Sequence, residues 1–219
     1  MKKKLPIPSS EPLKLDLTFF SVEKRKKVKA IMKIYRDIDK KTENFRQKTG
    51  LKCLSGCGEC CHDKFVSATT LEMLPLASAT KQKGELDAWI TQVDPKDKHS
   101  PCMFFKGEKN SSQGYCQVYE HRPLVCRLFG FSAREDKYKK YELMVCRKIK
   151  EAMPEVMEKA EAQVDAGKRH APLSQEYVMK TFTLSLQDGG DFRNINHAFV
   201  KAAEIVQLQG RLFASSTTS

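Results

Sequence analysis

Four of the eight cysteines in this 219-residue chain fall within nine positions, in the stretch LKCLSGCGECCH at 51–62. Cys53, Cys57 and Cys60 read C-x3-C-x2-C. That spacing can wrap a four-iron cluster and leave one iron open, as in radical enzymes that cleave S-adenosylmethionine. Cys57, Cys60 and Cys61, in CGECC, can equally form half of a zinc site. Thiolates are soft ligands that select zinc, copper(I) or iron–sulfur clusters over magnesium and calcium, and four are enough for one tetrahedral zinc or one four-iron cluster.

The other four thiols are more dispersed. Cys102 stands in PCMFF, Cys116 in YCQVY, Cys126 in EHRPLVCRLFGFS and Cys146 in ELMVCRKIKEAM. The start, MKKKLPIPSS, is charged but has no apolar run behind it, and no stretch approaches 18 apolar residues. A secretory signal and a membrane span are therefore not expected, and a cytoplasmic protein is. In a reducing compartment clustered thiols read as metal ligands rather than disulfides. All eight, Cys53, Cys57, Cys60, Cys61, Cys102, Cys116, Cys126 and Cys146, are candidate ligands, with a buried structural thiol as the alternative for Cys146. His62 and His121 lie beside cysteines and could complete a site, though thiolates alone saturate one. Arg122 and Arg127 could offset the excess negative charge of a thiolate site and tune it by hydrogen bonding.

These residues carry a resemblance. The stretches CLSGCGECC and CMFF…YCQVYEHRPLVCR resemble the YkgJ-like cysteine-cluster family, whose hallmark is a CxxCxxCC-like cluster followed by C…C-x-x-Y-x-x-x-R-P-x-x-C-R. The second stretch matches through Cys116, Tyr119, Arg122, Pro123, Cys126 and Arg127. The first carries one extra residue between Cys53 and Cys57. The resemblance covers about residues 50–130 and implies a zinc- or iron-chelating domain. Some members are called iron–sulfur oxidoreductases, and a related cluster occurs in the flagellin lysine N-methylase.

The elements around the cysteines read as mainly helical. Val28, Ile31, Tyr35, Ile38 and Phe45 make one apolar stripe over a helix at 21–48, with Gly50 to end it. Further helices are expected at 69–80, with Pro75 as a kink or early end, and at 84–92. Apolar runs around the polar turn KGEKNSSQG read as a β-hairpin with Cys102 and Cys116 on facing strands. Pro123 opens a short helix carrying Cys126, Cys146 begins another, and Pro154 interrupts the next. YVMKTFTLSL fits strand or helix. Asp191 to Phe213 reads as a helix with stripe Ile195, Phe199, Ala202, Ile205 and Leu212 and Asp191 as N-cap. The expected fold class is thus mainly α, with a small β-hairpin and irregular metal-binding loops, helices flanking a cysteine-rich core. The expected organisation is a flexible basic lead-in at 1–18, one helical domain at 19–213 with its cysteine core at about 50–130, and a disordered tail at 214–219.

Charge is uneven. Residues 1–52 hold 16 Lys and Arg against 6 Asp and Glu, a net of +10 out of the chain's +12. Without interleaved aromatics or a helix-turn-helix pattern, this favours a solvated helix face over a nucleic-acid surface. The functional readings are therefore ordered. A metal-binding protein holding zinc or iron, with an iron–sulfur cluster possible, comes first. An iron–sulfur oxidoreductase or S-adenosylmethionine-dependent protein-modifying enzyme is the alternative, weakened by the missing β/α alternation of a barrel. A zinc-stabilised nucleic-acid module is the third. Walker, G-x-S-x-G and H-E-x-x-H motifs are absent.

Overall fold

The computed structural model describes residues 15–97, 99–107, 111–167, 171–186 and 192–217. Its longest element is α1, Val22–Thr49. Ser21 caps it, with its Oγ accepting from the Lys24 N–H at 3.2 Å, and Gly50 ends it in the left-handed region at φ 80°. Glycine takes that conformation without the steric cost a Cβ would add. The expected stripe is buried, and Thr42 joins it. The spacing of three and four residues puts the whole set on one helix face.

Beside α1 lies α3, Thr70–Gln82, after a one-turn helix α2, Glu59–His62. Every residue of α3 from Thr70 to Thr80 is buried, as expected of a helix enclosed on all sides. Its hydroxyls are satisfied internally, Ser78 to the Leu74 carbonyl and Thr80 to the Leu76 carbonyl. Pro75 neither ends nor divides the helix, which continues to Gln82. The proline lacks one N–H in a helix held by packing on all sides, and burial outweighs that loss. The third large helix is α9, Ile195–Thr217, which packs along α3 through Ile195, Ala198, Phe199, Ala202, Ala203 and Val206. The expected stripe therefore holds at its N-terminal half only. Ile205 is half-buried, and Leu212 is exposed because α3 ends before reaching it. The helix is preceded by a strand rather than an N-cap turn, and Asp191 lies outside the described residues. It also runs on to Thr217, so the expected tail is helical that far. In the expected lead-in Leu17 is buried in the main core, as is Phe20 just past it.

Shorter helices fill the gaps: α4 at Leu86–Ile90, α5 at Leu124–Leu128, α6 at Arg147–Ala152, α7 at Pro154–Asp165 and α8 at Ser174–Ser185. Pro154 opens α7, where its missing N–H costs nothing. YVMKTFTLSL resolves as helix: Tyr177 and Thr181, four residues apart, are its buried positions.

Six short strands form three separate antiparallel ladders. β1, Ser67–Thr69, pairs with β6, Phe192–Asn194; β2, Phe105–Gly107, with β3, Gly114–Cys116; and β4, Ser132–Glu135, with β5, Tyr141–Met144. Only the middle pair is the expected hairpin. The fold is mainly α with these small ladders and a cysteine-rich region. Cys102 is not on a strand. It lies three residues before β2, and Phe105 takes the place opposite Cys116.

The buried side chains form two clusters. The main one joins α1, α3, α5 and α9. A second, built from Phe45, Leu51, Phe131, Leu143, Ile149, Met157 and their neighbours, joins the C-terminal end of α1 to β4, β5, α6 and α7. No helix among the described residues is long and apolar enough to cross a membrane.

Candidate metal centre

The cysteine loop leaves α1 through Gly50 and is anchored by Leu51, buried in the second cluster. It turns at Leu54–Cys57 and at Gly56, φ 72°. The loop is then stitched to the β2–β3 hairpin. Cys57 forms an antiparallel bridge with Gln113, the Gly114 N–H donates to the Gly56 carbonyl at 2.8 Å, and the Gly58 N–H donates to the Ser112 carbonyl at 2.6 Å. At Gly58 the Phe105 ring fills the volume a Cβ would need, so glycine here is a packing requirement. α2 then presents Cys60 and Cys61, and the Cys61 carbonyl accepts from the Cys102 N–H at 2.9 Å. Thus two segments far apart in sequence, 53–61 and 102–116, are held side by side by backbone hydrogen bonds.

Downstream, a 3-10 turn at Tyr119–His121 leads into α5, which carries Cys126. The start of α5 is fixed by a buried carboxylate. Glu72, 1% exposed, accepts from the Thr69 N–H at 2.8 Å, the Thr69 hydroxyl at 3.0 Å and, through its other oxygen, the Leu124 N–H at 3.0 Å. With Thr69 it forms a capping box on α3. Burial pushes its pKa up, and the Thr69 and Leu124 hydrogen bonds oppose that rise.

All eight cysteines are free thiols. Cys102 is buried, Cys53 is exposed and the other six are half-buried. Cys61, Cys116 and Cys126 pack with Cys102 against the main core, whereas Cys146 packs against the second one and stands at the N-terminal boundary of α6. The electrostatics tie the thiols together. Cys60 is raised strongly, first by its hydrogen bond to the Cys61 thiol and then by burial. Cys61 is pushed up to about 12, led by its hydrogen bond to Cys102, with Cys116 adding to the rise. Cys126 is raised well above the usual thiol range by burial, with Cys60, Cys116 and Cys61 adding to it. Burial also raises Cys116. Cys53 is pushed up to about 11 by desolvation, then by Cys57, Cys60 and Cys146. Cys146, 93 residues further on, is thereby drawn to the Cys53 side of the array.

The two arginines divide the work. Arg122 is the cation that lowers Cys60, Cys116 and Cys126. It is held over the Tyr119 ring at 3.6 Å, with Nε donating to the Tyr119 carbonyl at 3.0 Å and a terminal nitrogen to the Cys126 carbonyl at 3.2 Å. Arg127 is buried and turns toward α1. It pairs with Asp39, lies 4.4 Å over the Tyr35 ring, and donates to the Arg122 carbonyl at 2.7 Å and the Glu120 carbonyl at 2.5 Å. Arg122 thus faces the sulfurs and Arg127 fastens their support to the helical frame. His62 is exposed and meets Phe105 edge-on at 4.8 Å. His121 lines a cavity with Trp89, Thr80 and Lys83, and burial holds it neutral, down at about 4.

Glu72, Asp39 and Phe105 carry the site without having been singled out from sequence. For Glu72 the signal was present as T-x-x-E at 69–72. For Asp39 and Phe105 the partners are too distant in sequence to leave a local pattern.

Soft, mutually coupled thiols with a compensating arginine fit zinc or iron by the chemistry of the donor set. Among the described residues no three His, Cys, Asp or Glu side chains stand together as a ready coordination sphere. Ligation therefore requires side-chain rotation and loss of the thiol protons. Beside Cys146 runs a groove of about 510 Å³, lined by Leu124, Phe129, Met144, Val178 and Phe192, with Lys150 at its edge.

Residues 52–148 match the family model CxxCxxCC, described as a "Putative zinc- or iron-chelating domain". The matched segment takes in all eight cysteines. No curated protein and no solved structure matches the chain.

Proposed function

We propose that the segment matched to a chelating domain binds zinc or iron through thiolates, with Cys60, Cys61, Cys102, Cys116 and Cys126 as the resident ligand set. Cys53, Cys57 and Cys146 form an outer set beside it. The observation that carries this reading is the chain of thiol–thiol coupling from Cys60 through Cys61 to Cys102, joined by Cys116 and Cys126 and faced by Arg122. These thiols come from the α2 turn, the segment before β2, β3 and α5, so an ion held by four of them cross-links at least three pieces of chain. Binding one ion replaces thiol protons, which makes loading pH-dependent and links it to folding. A closed zinc site would act as a staple, and an iron–sulfur cluster on the same thiolates would add electron transfer.

The test is purification without air, followed by a visible spectrum and assays of zinc, iron and labile sulfide. Stoichiometric zinc in a colourless protein supports the staple. Broad visible absorbance with iron and sulfide supports the cluster. A protein that carries neither metal, and gains no stability when either is supplied to the reduced chain, ends this reading.

A second reading, an iron–sulfur oxidoreductase or protein-modifying enzyme, is favoured by one feature. The apolar groove lined in part by Cys146 gives a substrate a place next to that thiol. Metal-dependent binding of a substrate there, lost on filling the groove with Val178→Trp, would separate this reading from a purely structural centre.

A further inference from the structure

The exposed face of α1 carries a single file of cations. Lys26, Lys29, Lys33, Arg36 and Lys40 recur at intervals of three and four residues, and all five are exposed. At 1.5 Å per residue the file is about 21 Å long. None of the five has an ion-pair partner among the described residues. The acids of α1 are all engaged off this file. Glu23 pairs with Lys27 at 3.7 Å, and Asp37 accepts from the Tyr177 hydroxyl at 2.6 Å and pairs with Lys41 at 3.3 Å. Asp39 holds Arg127, and Glu43 holds Arg46 at 3.1 Å and Gln47 at 3.0 Å. The helix thus uses its carboxylates internally and leaves a continuous positive ridge facing water.

We infer that this ridge binds the phosphate backbone of a nucleic-acid duplex without reading its sequence. The ligand must be a linear polyanion, because five charges in one narrow file complement a row of phosphates. The ridge has no aromatic side chain to stack on bases, which argues against the usual mode of single-strand binding and leaves backbone contact. A membrane surface is a poorer fit. The apolar stripe of α1 is buried in the core, so the helix has no apolar face to insert, and Val22 is the one large apolar side chain exposed beside the file. This inference is independent of which metal the thiols hold.

The experiment is fluorescence anisotropy of 20-base-pair DNA and RNA duplexes with the full metal-loaded chain across a salt series. If all five cations engage phosphates, log K falls against log salt with a slope of about −4.5. The triple variant Lys29→Glu, Lys33→Glu, Arg36→Glu should lose at least tenfold in affinity at unchanged metal content and melting temperature. A second triple variant, Lys96→Glu, Lys137→Glu, Lys159→Glu, makes the same charge change at exposed positions outside α1 and should keep most of the binding. The inference is overturned if neither duplex binds at 50 mM salt or if the two triple variants lose affinity equally. It is equally overturned if the chain binds phosphatidylserine vesicles but not duplexes.

Discussion

The two ends of the thiol array are built differently. Cys61, Cys102, Cys116 and Cys126 rest against the main core, on backbone fixed by a ladder, a helix and the Glu72 carboxylate. Cys53 is exposed in the loop just past α1, and Cys146 belongs to the second cluster. Thiols on backbone already held by packing need only side-chain rotation to meet a metal, whereas thiols on a loop need the loop ordered as well. The difference teaches that the core-packed thiols and the thiols at the exposed end are separately supported, although one motif, CLSGCGECC, contributes to both.

The comparison breaks most readily at its core end. Cys126→Ser should lower metal content and melting temperature together. A loss of about 3 kcal/mol would appear as roughly 6–12 °C in a chain of this size. Full loading and an unchanged melting temperature would mean that α5 does not serve the centre. Glu72→Ala should come next, costing about 3 kcal/mol through three lost hydrogen bonds to a buried carboxylate. If the core end depends on that anchor, metal affinity falls with it, while Glu72→Gln restores part of both.

Acid provides a third probe. His121 has its pKa depressed to about 4, so its neutral form contributes stability that is present above about 6.5 and is lost as pH falls through 4. Melting curves between pH 7 and 4 should show this loss, and His121→Gln should flatten it. The alkaline side has the opposite sign. In the metal-free chain, Cys61 contributes stability that is fully present below the ordinary thiol value of 9.0 and is lost as pH rises through about 12.

Arg122→Met should lower the melting temperature of the metal-free chain modestly, through the lost hydrogen bonds to the Tyr119 and Cys126 carbonyls, and move half-loading with metal to higher pH, because Cys60, Cys116 and Cys126 then hold their protons more tightly. Cys53→Ser should have the smallest effect, within about 0.5 kcal/mol at an exposed position and with full metal content. A large loss there would merge the two ends into one site.

Much of the helical frame was legible in the sequence because it is periodic. The stripe from Val28 to Phe45 and the stop at Gly50 are local signals, and both stand in the structure. β1, β4, β5 and β6 were not legible, since three or four residues are too few to establish a period of two. β1 also pairs with β6 across about 125 residues of sequence. The same limit applies at the centre. Cys60–Cys61 and the arginines could be read from spacing, but the neighbours of Cys146 could not, since they are set by how β5 and α6 return toward the Cys53 loop. Leu212 shows the converse. Its periodicity is real, yet its partner helix is too short to cover it.

The ladder between β1 and β6 also bears on how the chain is made. Every cysteine precedes residue 147, while the main core closes only when α9 packs along α3. At a synthesis rate of about 5–20 residues per second, the last thiol leads the end of α9 by several seconds. During that interval the thiols are on a nascent chain whose central helix still lacks one wall. On the proposed reading, metal delivered then would meet thiols on a mobile chain, whereas metal delivered later would meet thiols already packed against the main core. Adding zinc or iron during translation, rather than after release, should therefore raise the yield of loaded protein.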